Sequence, residues 1–511
     1  MSRSICCQAI LIAGLTVGWT SSAMAQSTQP ANTDRSLTSE EAVAIALHNN
    51  PDFRVTRLSA DQAAAKVRGA EGTFPWELQV DGGVTHTESP SLGPRQTVVT
   101  STNDSVTLGS QLEKTFPTGT GLSFRVEGDR FSTRRPSSSL ATGDTSISRG
   151  VGYDMTARAT LTQPLLQGRG RRVNLADLRT ARIARTQATR TLERTGSDLA
   201  RDVEVTYWEA WFAGRAVELE QSALELANRQ RREAEARRDQ GALAPVDVLT
   251  FKSREAELRE SVVAAEANHQ RQLLSLQQLL GTETLPRLSS EPPPSVTIPT
   301  EATILQALEA ESPELAELNE RLRLAEANAE VAGENYRARL DYEWYVEARG
   351  LGNERLPPAA EQIATLNAVS SHMGLVYRTP LDKRRRDSAR ASADLDVSIA
   401  EANLVSARQR LRAQARSFIT TVEAARASFA AAQETAAIAE QQFEAERLRF
   451  AAGATTPLEV QQAEDTLRQA RHRVERARID LVQAAVDLRH SMGALLERYA
   501  AEIAQKPESK R

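Results

Sequence analysis

The chain carries one set of landmarks twice, in the same order. Asn50-Pro51, Pro164-Leu165, Gly241 with Pro245, and Leu280-Gly281 return as Ser312-Pro313, Pro380-Leu381, Gly453 with Pro457, and Met492-Gly493. The last two keep a single offset of 212 residues, from Gly241 to Gly453 and from Leu280 to Met492, so the segments between them match in length. A unit of this size, with a β-like part set inside a helical one, exceeds the repeat of a solenoid or a propeller blade. It predicts one body built by duplication.

Within the first half, 26–281, helix formers run from Ser39 to about Gly72 behind a Thr38 or Ser39 cap with Glu41 in the first turn, and Pro51 interrupts them early. Pro75 ends this helix, and from 76 to 163 the period becomes two. Leu78, Val80 and Val84 alternate with Gln79, Asp81 and Thr85, and Leu122, Phe124 and Val126 alternate with Ser123, Arg125 and Glu127. Pro117-Thr118-Gly119 reads as a tight hairpin, and the Ser, Thr and Gly-rich stretch Thr133 to Arg149 reads as an exposed loop. A helix then runs from about Asn174 to Gln240, or ~100 Å at 1.5 Å per residue. The short turn Gly241 to Pro245 sends a second helix back to Gly281, and 282–300, with Pro292-Pro293-Pro294, is a linker.

The second half, 301–500, repeats this plan in shorter form, ahead of a tail at 501–511. A helix to about Arg339 leads to a β segment at 340–379, with a loop at Pro357-Pro358 between two alternating runs. Another very long helix reaches Ala452, and the Gly453 to Pro457 turn returns it. On that return Val460, Leu467, Val474, Leu481, Leu488 and Leu495 fall every seventh residue, with Ala463, Ala470, Ala477 and Ala484 three after each of the first four. This is a heptad seam whose alanines let helix axes approach closely. Long antiparallel helical hairpins follow, giving a mostly α fold with β insertions.

The first 25 residues have the parts of a secretory signal: Arg3, an apolar run from Ala9 to Trp19, and Ala23-Met24-Ala25. That run is too short to span a bilayer as a helix, and no later stretch approaches the required length. Both cysteines, Cys6 and Cys7, lie inside the signal, so the exported chain forms no disulfide. Loss of Arg3 takes the net charge from -4 to -5, a mild balance that excludes a generally basic nucleic-acid binder.

The six histidines, His48, His86, His269, His372, His472 and His490, show no metal-ligand spacing, and no phosphate loop, nucleophile elbow or dinucleotide fingerprint is present. The chain reads as a non-enzyme without cofactor or metal. Arg169, Arg171 and Arg172 follow Pro164, and Lys383, Arg384, Arg385 and Arg386 follow Pro380, at equivalent repeat positions. Each cluster is either a solvated helix start or a set of cations at a membrane boundary, on anionic headgroups. The β segments likewise fit a soluble sheet or a membrane barrel. The barrel is favoured because the neighbouring helices have narrow seams already committed to other helices, which leaves no core to cover a sheet. Trp76, Trp344 and Tyr345 near strand starts suit an interfacial girdle. An open sheet edge is not tolerated in lipid, so an oligomer is required.

The duplicated order, the entries Ala46-Leu47-His48-Asn49-Asn50-Pro51 and Ala307-Leu308 to Pro313, the strand exit Leu161 to Leu166, and the turns at Gln240 to Leu243 and Phe450 to Gly453 resemble TolC-like outer-membrane efflux proteins. The resemblance covers essentially the whole exported chain. It implies a homotrimer in the outer membrane, with four strands per protomer in a twelve-stranded barrel continued by a helical tunnel through the periplasm. It also implies the exit duct of a tripartite efflux or type I secretion system, with a periplasmic adaptor and an inner-membrane transporter as partners. The turns that would dock the adaptor contain Gln240, Gly241, Ala242, Leu243, Ala452, Gly453, Ala454 and Thr455, and Asp247 and Glu459 match acidic rings at the constricted end. Those two carboxylates equally suit helix N-termini. One departure stands out: Val106 to Val126 adds a hairpin that either extends outside the cell or enlarges the barrel. A periplasmic adaptor and a coiled-coil scaffold are the alternatives, and two hairpins with amphipathic strands count against both.

Overall fold

The computed structural model describes residues 36–92, 98–138, 145–241, 243–293 and 299–504. The signal at 1–25 lies outside them. Two short helices open each half: α1 (Ser39–Asn49) and α2 (Pro51–Glu71), then α6 (Glu301–Glu311) and α7 (Pro313–Ala329). Thr38 caps α1 in a reciprocal capping box with Glu41, and the prolines sit at the first position of α2 and α7, where a missing N–H costs nothing. Asn50 bridges α1 and α2: its Oδ1 accepts from Phe53 N at 3.0 Å and its Nδ2 donates to Leu279 O at 2.9 Å.

Four helices carry the length. After the single turn α3 (Arg171–Asn174), α4 (Ala176–Asp239) pairs with α5 (Pro245–Leu280), and after a helix α8 (Pro357–Ala364), α9 (Arg384–Ala451) pairs with α10 (Pro457–Ser491). Gly241 and Gly453 hold φ of +75° and +74° at the turns, a conformation that L side chains rarely adopt. The heptad seam is real: Val460, Leu467, Leu488, Ala470, Ala477 and Ala484 are buried, facing Leu404, Leu411, Val422 and Phe443 of α9. Near the sheet α2, α4, α7 and α9 lie side by side, and toward the turns the row becomes α5, α4, α10 and α9. Its main core gathers Val43, Leu47, Phe53, Val203, Tyr207, Trp211, Leu276 and Ile479 where the short helices wrap α4.

The strands β1 (Glu77–Leu92), β2 (Val98–Thr115), β3 (Gly121–Ser138), β4 (Thr145–Pro164), β5 (Arg339–Asn353) and β6 (Val369–Arg378) form one antiparallel sheet in sequence order. This corrects the four strands implied by the resemblance. The added hairpin is β2 and β3, joined through the expected Pro117-Thr118-Gly119 turn and paired on both sides with unbroken register. The stretch Thr133 to Arg149 is strand at both ends, because ladder hydrogen bonds between β3 and β4 continue whatever the side chains are.

Other expectations shift for local reasons. The helix read as reaching Arg339 stops at Ala329, where Gly333 adopts a φ of +76° before β5. The loop at Pro357-Pro358 is instead the first turn of α8, a position that tolerates proline. The first part of the linker is pinned, with Leu37 bridging Leu288 and the Tyr207 hydroxyl donating to Leu37 O at 2.8 Å. The tail begins as packed structure, since α11 (Ala494–Arg498) and α12 (Ala500–Ala504) place the Ile503 side chain where a Cβ on Gly196 would lie.

Candidate functional site

The sheet has inverted polarity. Its exposed face is apolar: Leu78 is 70%, Val84 81%, Leu108 66% and Met373 67% exposed, beside Phe124, Val126, Val369 and Leu375. Register lines these residues up in rows, such as Leu78, Leu112, Phe124, Ala159 and Val346, or Trp344 beside Leu161 and Met373. A water-soluble sheet would hide this band against a core. The long helices here place their seams against each other, and α8 covers only Ala348, Gly350 and Gly352 at one end of β5, so the rest of the band has no cover among the described residues.

The opposite face is polar, and arginines on it pair with its carboxylates. Arg125 of β3 reaches over β2 to Asp81 of β1, with Nη2 to Oδ2 at 3.0 Å, and its Nε donates to Glu127 at 2.8 Å. The reach is possible because the β2 residue between them is Gly109, where a Cβ would stand 2.8 Å from Asp81 and 2.9 Å from Arg125. Arg158 donates to Glu347 at 2.7 Å and Arg349 to Asp154 at 3.0 Å, joining β4 to β5. Tyr345 belongs to this face, stacked on His372 at 5.1 Å under the Arg158 guanidinium, and so leaves the girdle suggested for it. Trp76 and Trp344 remain on the apolar side.

Two sides of the molecule are unfinished. On one, β1 is a free strand edge above α2 and α5, which expose Val55, Leu58, Val246, Leu249, Val263 and Leu274. On the other, β6 is a free edge above α9, which exposes Leu395, Ile399, Val405, Ile438 and Leu448. The two sides carry different residues, and each pairs a free strand edge with exposed apolar helix residues.

At the far end the two turns stand together. Leu243 packs with Phe251, Val248 and Phe450, the two rings being 6.5 Å apart, and Arg237 lies 5.2 Å over Phe450. Gln240 caps α4, while Ala452, Gly453, Ala454 and Thr455 form the other turn, where Gly453 N donates to Phe450 O and Ala454 N to Arg449 O. Ala242 lies outside the described residues. Glu459 completes a capping box with Thr456, accepting from its N–H at 3.0 Å and from the Thr455 hydroxyl. Those bonds, the Thr455 one first, hold its carboxyl below the usual range. Asp247 is half-buried in the first turn of α5.

The basic clusters sit at the strand-to-helix junctions. Lys383, Arg384, Arg385 and Arg386 enter α9, where Arg384 pairs with Asp382 and Arg386 with Asp387. Arg169, Arg171 and Arg172 surround α3 and have no ion pair among the described residues.

A polar seam between the hairpins escaped the sequence reading. Arg468 and His472 of α10 both reach Glu220 Oε1 of α4 at 2.8 Å, Gln230 donates to Glu464 at 2.9 Å, and Arg254 of α5 pairs with Asp465. Burial would raise the Glu220 carboxyl, but the His472 and Arg468 bonds outweigh it and hold it low, whereas burial pushes Glu464 up. These partners are more than two hundred residues apart, and no local signal links them.

Residues 304–494 match the family model described as outer membrane efflux protein. No curated protein matches the sequence. The fold is that of solved outer-membrane channels. The chain shares 13% identity with the CmeC channel of Campylobacter jejuni, covering 93% of this chain and 90% of that one at a TM-score of 0.66. VceC of Vibrio cholerae shares 14% over 89% of this chain and 96% of that one, at 0.61. The open state of the Neisseria gonorrhoeae MtrE channel shares 14% over 89% and 88%, at 0.59.

Proposed function

We propose, from an outer membrane efflux protein domain at 304–494 within a channel fold that spans the chain, that this protein is the passive outer-membrane exit duct of a tripartite efflux or secretion system. The single observation that carries the reading is the inverted sheet with two free edges, continuous with helical hairpins whose long arms run ~100 Å and whose outer helices expose apolar residues on the same two sides. In lipid the edges must close, and three copies would do so by joining β6 and α9 of one to β1, α2 and α5 of the next. With six strands each, the barrel would have eighteen, about half as wide again as a twelve-stranded one, since diameter grows roughly linearly with strand number. The polar face would line the lumen, and the hairpins would carry the passage through the periplasm.

The turns at 238–247 and 449–459 would dock a periplasmic adaptor that joins the duct to an inner-membrane transporter. Asp247 and Glu459 would form the acidic constriction. The clusters at Arg169, Arg171 and Arg172 and at Lys383 to Arg386 would meet headgroups at the inner leaflet, one strand length from the outer surface. Nothing in this scheme needs an enzymatic step or a cofactor.

Purified protein in planar bilayers is expected to conduct as a detergent-stable trimer. A water-soluble monomer without conductance would sink the duct and favour a coiled-coil scaffold. Asp247→Asn with Glu459→Gln is expected to weaken cation preference, and unchanged selectivity would remove the acidic ring alone.

A further inference from the structure

The outward face of the sheet does not end with its apolar band. Following β3 along that face, Phe124, Val126 and Gly128 give way to Arg130, Ser132 and Arg134, and β4 brings Arg149, Val151 and Tyr153 alongside. Arg134 stands directly opposite Arg149 in the register. Like charges facing each other across a strand pair are unfavourable unless an anion lies between them. Arg130, Arg134 and Arg149 are exposed, and among the described residues none has an ion-pair partner. The contrast with the polar face is sharp: there Arg125, Arg158 and Arg349 each hold a carboxylate of the sheet. The nearest carboxylates on the same face of β1 and β2, Glu88 and Asp104, are turned to His86.

Resting on the membrane reading above, we propose that Arg130, Arg134 and Arg149 form a binding site for the phosphorylated headgroup of an anionic outer-leaflet lipid. The occupant follows from what adjoins the arginines. Val106 stands in the row of Arg130, and one row lower lie Leu108 and Met155, exposed and half-exposed side chains that would meet acyl chains. A ligand that is anionic at the arginine level and apolar one row lower is an amphiphile. Arg134 and Arg149 would clamp one phosphate between them, with the Ser132 hydroxyl and the Tyr153 phenol on the same face as further donors. The hydrophobic rows below would fix the lipid's depth, so the site would hold the hairpin β3–β4 at the outer leaflet.

The test uses the full-length protein reconstituted in phospholipid vesicles, with binding of a phosphorylated lipopolysaccharide measured against its dephosphorylated form. Arg134→Gln with Arg149→Gln is expected to weaken binding of the phosphorylated lipid about thirtyfold, the effect of two near-surface charges, while channel conductance is retained. The dephosphorylated lipid is expected to bind the unaltered protein as weakly as the phosphorylated lipid binds the variant. Equal binding by variant and unaltered protein, or no preference for the phosphorylated lipid, overturns the site while conductance still upholds the duct. Inorganic phosphate that binds alone as tightly as the lipid overturns the lipid assignment. Protein that never inserts removes the membrane reading itself, a failure distinct from either.

Discussion

An arginine carried to different depths of the apolar face tests the inverted sheet most directly. On β3 the band runs from Leu122, in the row of Trp344, to Arg130, in the row of Val106. Those eight residues span ~27 Å along the strand, or ~20 Å of membrane depth at a tilt of about 40°. Val126 lies midway, ~10 Å from either boundary. Val126→Arg therefore places a guanidinium near the bilayer midplane, at a cost of about 2–4 kcal/mol per chain, while Val106→Arg at the boundary costs at most about 1 kcal/mol. The neighbouring Thr107→Arg points to the polar face opposite Asp129 and is expected to be near neutral. The measurement is the urea dependence of folding into lipid vesicles for the three variants. Equal costs at Val126 and Val106, or a larger one at Thr107, would refute the assignment of faces, because a soluble sheet has no reason to grade arginine by depth. Arg130 already occupies the boundary row, which shows that the sheet accommodates an arginine there.

The remaining expectations concern the polar contacts. Glu220→Gln is expected to cost about 2 kcal/mol by weakening two charge-assisted bonds, read as a roughly thirtyfold loss of hydrogen-exchange protection over 461–472. Because folding lowers the Glu220 pKa, its stabilisation is present above the unfolded value and is lost as pH falls through the folded one, and the variant should lack that acid-side loss. Glu464→Gln is expected to have the reverse sign: burial raises this carboxyl, so its contribution is favourable at low pH and is lost as pH rises through the folded value. The variant should keep the Gln230 contact, gain thermal stability at neutral pH and match the unaltered protein in acid. Gly109→Val is expected to push Asp81 from Arg125 and change the single-channel conductance, whereas an unchanged conductance would place that pair away from the lumen.

The parts legible in the sequence are those set by neighbours in the chain. Gly241 and Gly453 had to be turns because of the conformation they hold, Thr38 with Glu41 had to be a cap, and the Leu and Ala heptad could bury one stripe of a helix. Strand number was harder to read, because β2 loses its apolar alternation where Ser101, Thr102, Asn103 and Asp104 continue the ladder, and Ser and Thr on β3 and β4 do the same. In a barrel wall the backbone bonds define the strand, while the side chains report only what each face meets. The alternation also held information that residue type obscured. Tyr345 follows Trp344 directly, so the two must face opposite sides, and a girdle could include only one of them. Partners such as Asp81 with Arg125, or Glu220 with Arg468, depend on register between distant segments and become readable only once the sheet and the helix row are assembled. The candidate acidic constriction shows the same division. Thr456 and Glu459 are three residues apart, so the cap was inferable from the chain, while a ring of carboxylates is a property of several copies and must be sought in the assembly.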